Sequence, residues 1–175
     1  MSSYVCLDAS NMSTLKFPHK EFKYNEPHPV VQYVKNSRQV TRACVKTLVL
    51  TGTYPLQTAR FKMKKVDSAL CPLCHLEEEN TEHFIESCRT LQSSRQMYQA
   101  RISALLPTPL RTSLTQAILD SRYLVKLHPE MKKLVEDLEE VSRDLIFALH
   151  MRRSNLLGSH KNFFKNPLPF NPLLN

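Results

Sequence analysis

The chain has 175 residues, of which 42% are hydrophobic, enough for one packed domain and too many for a wholly disordered polypeptide. Its 24 Lys and Arg against 16 Asp and Glu leave a formal charge of +8, and 2 glycines against 11 prolines disfavour an all-β meander of tight hairpins. Nothing approaches the roughly 18 apolar residues of a membrane span, and residues 1–10 lack the basic patch and apolar stretch of a secretory signal.

Residues 1–36 have no sustained period and contain Pro18, Pro27 and Pro29, so they read as an extended arm whose end, Val30, Val31, Tyr33 and Val34, anchors on a core. Ser37 suits the N-cap of a helix to about Leu50, with Val40, Ala43, Cys44, Thr47, Leu48 and Val49 on one face and Gly52 as its left-handed stop. Arg38, Arg42 and Lys46, four residues apart, predict one exposed basic stripe. Pro55 opens a short helix through Met63. Asn80 or Thr81 caps the next, which runs to Pro107, and Thr108-Pro109 opens another that buries Leu110, Leu114, Ala117, Ile118 and Leu124.

The last helix is the longest, from Pro129 to about Leu157, with Gly158 ending it. Leu134, Leu138, Val141, Leu145 and Leu149 form its apolar stripe, a packed face within the chain or a coiled-coil seam for a partner. The tail 159–175, with Phe163, Phe164, Phe170 and three prolines, reads as disordered or as a docking peptide. The expected architecture is therefore mainly α: an arm at 1–36, a helical domain at 37–158 and a flexible tail at 159–175.

The charge is unevenly placed. Lys35, Arg38, Arg42, Lys46, Arg60, Lys62, Lys64 and Lys65 fall in a stretch with no acid, whereas Glu77, Glu78 and Glu79 read as a solvated loop. Such a basic stretch is a candidate phosphate-binding surface, and Tyr54 and Phe61 within it are candidate stacking aromatics or core residues. Arg89 and Arg95 stand ready to add to that surface.

Four residues carry chemistry. Cys71-Pro72-Leu73-Cys74 is a C-x2-C turn that lets two thiolates converge, and His83 and Cys88 follow at a distance suited to a helix start. Three Cys and one His offer zinc the soft and borderline donors of a closed, structural tetrahedron. His83 and Cys88 are five residues apart, about 140° from eclipsed on an α-helix, so a local distortion near Ser87 is expected. Glu82 is placed either to orient the imidazole or simply as a charge in the first turn of a helix; His75, directly after Cys74, is a rival ligand or an exposed histidine. Cys6 and Cys44 read as plain thiols, and His128 and His150 as exposed or helix-end histidines.

Leu50-Thr51-Gly52-Thr53-Tyr54-Pro55-Leu56-Gln57 with Arg60, then Cys71-Pro72-Leu73-Cys74, Glu82-His83-Phe84 and Cys88, resembles the zinc-binding region downstream of the polymerase in non-LTR retrotransposon reverse-transcriptase proteins. The stretches 114–120 and 147–153 are similar to elements of this kind as well. The resemblance implies a non-catalytic module that binds RNA or DNA, with Cys71, Cys74, His83 and Cys88 as the zinc ligands and an intracellular place of action, nuclear or cytoplasmic, with the nucleus favoured. The aspartate-bearing polymerase motif is absent, so the resemblance implies either a fragment of a larger protein or a free-standing product derived from an element.

Three functions follow in order. The first is nucleic-acid binding through Arg38, Arg42, Lys46, Arg60, Lys62, Lys64 and Lys65. The second is a protein adaptor that grips its partner through helix 129–157 or the tail, zinc only holding the shape. Catalysis is third: there is no phosphate-cradling Gly-rich loop, no nucleophile elbow and no deaminase signature, and neither a membrane nor a small-molecule substrate is expected.

Overall fold

The computed structural model describes residues 28–158, and it is mainly helical. The arm as far as residue 27 and the tail 159–175 lie outside the described residues. In chain order the helices are α1 (Pro29–Gln32), α2 (Ser37–Leu50), α3 (Gln57–Lys62), α4 (Gln92–Leu105), α5 (Leu114–Leu119), α6 (Ser121–Leu127) and α7 (Val135–Leu156). A π-helical turn, His83–Ser87, and a 3-10 turn, Arg89–Leu91, precede α4, and a 3-10 turn, Pro129–Leu134, precedes α7. Among the described residues the β-structure is a single bridge between Leu70 and Glu78, and no helix is long and apolar enough to cross a membrane.

α7 is the axis of the fold. Its 22 residues span about 33 Å, shorter than a helix begun at Pro129, because the first turns are 3-10. Leu138, Val141, Leu145 and Leu149 are buried as the stripe requires, in one core with residues of α2, α5, α6 and the π turn. The seam is thus covered by its own chain. Ile146, Ser142, Arg143 and His150 are buried too, so α7 is enclosed on more than one side.

The end of the arm is helical rather than extended. Arg143 on α7, fully buried, donates to the carbonyls of Val30 and Tyr33, both at 3.1 Å, and seats Val30 in the core while Val31 stays exposed. α2 begins one residue earlier than expected at its cap: the Asn36 side chain, not Ser37, accepts the Gln39 N–H. Its buried face is Ala43, Val45, Lys46, Val49 and Leu50, and Val40 and Cys44 point outward.

This rotation overturns the predicted basic stripe. Lys46 is completely buried, its ammonium donating to Glu139 and to Ser142 of α7 at 2.7 Å each. Glu139 is buried with it and accepts from Ser121 at 2.7 Å, so the charge pair is hydrogen-bonded from three sides. Arg42 pairs with Asp144 and lies over the Phe147 ring, and Lys35 pairs with Glu136 at 2.5 Å. Among the described residues, Arg38 is the member of that group that is exposed and has no ion pair.

The helix ends follow backbone chemistry. Gly52, at φ 71°, closes α2 with paired N–H bonds from Gly52 to Val49 and from Thr53 to Leu48, and Gly158 closes α7. The same closure ends α3, but there the left-handed position is Lys64, at φ 55°. An L side chain in that region costs roughly 1 kcal/mol or more. Further on, the helix expected from Pro109 starts only at Leu114, where Ser113 caps it, and Asp120 breaks it before α6. Ala117, Ile118 and Leu124 are buried; Leu110 and Leu114 are half-buried against the core.

Candidate metal centre

The loop before the π turn is short of apolar side chains and folds as a knuckle. Cys71 N–H donates to the Glu77 carbonyl at 2.8 Å, His75 N–H to the Cys71 carbonyl at 2.9 Å, and Glu79 N–H to the Ala69 carbonyl at 2.9 Å. His75 takes the left-handed conformation, φ 55°, that turns the chain back, and its side chain is exposed rather than among the ligands. Asn80 then caps the next element by accepting the His83 N–H at 2.8 Å.

The distortion expected near Ser87 is the π turn. Cys88 N–H bonds the His83 carbonyl at 2.8 Å, five residues back, so the backbone repeat matches the ligand spacing. The chain leaves the helix at Cys88, with ψ 112°, and the single helix foreseen from residue 81 to 107 is therefore two. Phe84 and Ile85 of this turn are fully buried, and Phe84 stacks on Tyr54 at 5.3 Å, which roots the ligand-bearing segment in the core.

The ligand atoms of Cys71, Cys74, His83 and Cys88 lie within 4.8 Å of one another. The Sγ atoms of Cys71 and Cys88 are 3.8 Å apart, too far for a disulfide, and Cys74 Sγ is 3.3 Å from His83 Nε2. Burial pushes the Cys71 thiol up to about 12 and raises that of Cys88 too. For Cys74, burial works upward, but hydrogen bonds from the Leu76 N–H, Cys71 and His83 prevail and bring it down to about 7. A cation among the sulfurs is what would let all three ionise together. Three thiols and one imidazole nitrogen, converging in this way, form a cluster that could hold a metal ion.

The imidazole is oriented by Glu77, not by Glu82. Glu77 Oε2 lies 2.9 Å from His83 Nδ1, which sets Nδ1 as the protonated nitrogen and leaves the Nε2 lone pair facing the sulfurs. Glu82 is exposed. Arg95 donates to the Cys88 carbonyl, so it braces the site instead of joining an open surface, whereas Arg89 is exposed.

Glu79 corrects the picture of a solvated acidic loop. It is buried and forms a two-pronged ion pair with Arg153 of α7, at 2.7 and 2.8 Å. It also accepts the Gln57 N–H at 2.8 Å, and its carbonyl accepts from Thr58, so the ligand loop caps the start of α3. Glu86 likewise accepts the Thr115 N–H at 2.7 Å and holds the start of α5. His150 and His128 are buried rather than exposed, and Tyr54 Oη is 2.8 Å from His150 Nδ1. None of these partners announces itself locally; Arg153 is 74 residues from Glu79.

Of the proposed phosphate contacts, then, Lys46 is inside the core, Arg42 is half-buried and paired, and Arg38 stands apart. Lys62, Lys64 and Lys65 are exposed at the end of α3 and Arg60 is half-buried, donating to Gln57. Among the described residues these four have no ion pair. Tyr54 is core; Phe61 is exposed. Comparison with protein-family models, curated proteins and solved structures gives no match.

Proposed function

We propose that the cluster holds one structural zinc ion and that the chain is a non-catalytic module that binds RNA or DNA through Arg60, Lys62, Lys64 and Lys65. Zinc is the metal of choice for three thiolates and an imidazole. With Zn–S bonds near 2.3 Å, a tetrahedral edge is about 3.8 Å, which is the separation of Cys71 and Cys88. All four positions are protein donors, so the ion shapes the loop and activates no water.

One observation carries the nucleic-acid reading: Glu79 joins the zinc loop to α3, and α3 ends in bases that no acid of the described residues neutralises. The ion fixes the loop, the loop fixes α3, and α3 presents the charge. The motifs at 50–60 and 71–88 favour kinship with the retrotransposon modules they resemble, and with it action in the nucleus.

The test is metal analysis of the purified chain followed by binding to labelled RNA and duplex DNA, before and after chelation. One zinc per chain is expected, and its removal should weaken binding and raise proteolysis between about residues 71 and 90. Cys74→Ser should do the same. A metal-free protein with full protection of that loop would dismiss the zinc; undiminished binding after chelation would break the link to α3.

A further inference from the structure

The surface at the end of α3 is not purely cationic. Reading from residue 60, Arg-Phe-Lys-Met-Lys-Lys interleaves bases with two large apolar side chains, and Phe61 and Met63 are 46% and 56% exposed. Phosphate contact alone needs neither.

Met63 and Lys62 border a groove of about 350 Å³, closed on its other walls by Ala59, Leu56, Val49 and Asn80. Val49, Leu56, Ala59 and Met63 give it apolar surface, and Thr58, Lys62, Asn80 and Thr81 add polar groups. The groove lies between α3 and the approach to the π-helical turn, so Asn80 and Thr81, which lead into His83, form one wall. Lys64 closes α3 in a left-handed conformation that turns the chain sharply there and leaves Lys64 and Lys65 exposed past the turn.

We propose that this end of α3 takes a single-stranded polynucleotide: one unpaired base enters the groove against Met63, a neighbouring base stacks on Phe61, and Lys62, Lys64 and Lys65 hold the phosphates between them. The proposal rests on the nucleic-acid reading and sharpens it to unpaired strands. Charge complementarity selects a polyanion, and the exposed apolar groups select one whose bases are free, because a duplex keeps its base faces stacked inside. Base face and phosphate are common to RNA and DNA, so either sugar satisfies the surface.

The experiment compares oligo(U), oligo(dT) and a blunt DNA duplex of equal length by fluorescence anisotropy on the full, zinc-loaded chain. Single strands should bind tighter than the duplex. Phe61→Ala should weaken single-strand binding by about 5- to 150-fold, the range for loss of one stacked base, and Ala59→Leu, which narrows the groove, should also weaken it. Neither should alter duplex binding or the salt dependence. Equal affinity for duplex and single strand, or binding untouched by both substitutions while Lys62→Ala/Lys64→Ala/Lys65→Ala abolishes it, would overturn the single-strand proposal and leave the nucleic-acid reading standing. Binding to none of the three probes would remove both.

Discussion

Residues 35–46 and 60–65 each carry four bases and no acid, yet they end in opposite surroundings. In the first segment Lys35, Arg42 and Lys46 are paired with Glu136, Asp144 and Glu139, three acids of α7, and Lys46 is sealed in the core. In the second, Lys62, Lys64 and Lys65 face solvent at and just past the end of a helix whose start Glu79 caps. Charge content is the same; what differs is whether a distant helix supplies the counter-charge. Basic stretches are binding surfaces only where the fold leaves them unanswered.

The largest effect should come from the answered side. Lys46→Ala leaves Glu139 buried with Ser121 as its remaining side-chain donor and should cost about 3–5 kcal/mol in denaturant unfolding. Pairing it with Glu139→Leu should recover most of that loss, since the uncompensated charge goes too. A cost below about 1 kcal/mol for Lys46→Ala would mean that the pair is not sealed as described.

A smaller effect of opposite sign belongs to the unanswered side. Lys64 occupies a left-handed position of the kind that both glycines of the chain occupy at the ends of α2 and α7. Lys64→Gly should therefore stabilise the fold by about 1 kcal/mol, visible as a higher thermal midpoint, while weakening nucleic-acid binding. If the variant is less stable, Lys64 has a packing role that its exposure does not suggest.

Much of this was legible in the residues. The convergence of Cys71, Cys74, His83 and Cys88, the helical class, the α7 stripe and the Gly52 stop rest on local spacing, and local spacing is what a sequence displays. Even the mismatch between H-x4-C and an α-helical repeat forecast a distortion, which the structure supplies as a π turn. The polar interior was not legible. Lys46 with Glu139, Glu79 with Arg153, and Arg143 with the carbonyls of Val30 and Tyr33 are each made across 70 or more residues. A charged residue reads as surface until its partner is known. The same reasoning explains why Glu77, which turns the imidazole, was passed over for Glu82, its ligand's neighbour in the chain.

The contrast between the two basic segments is tested most directly by the salt dependence of binding. Each phosphate contact contributes about 0.7 to 0.9 to the slope of log affinity against log salt. Lys62→Ala/Lys64→Ala/Lys65→Ala should lower the slope's magnitude by about 2 to 3, whereas Arg42→Gln, at a base already paired with Asp144, should leave it unchanged. An unaltered slope in the lysine variant, or equal losses in both, would contradict the account.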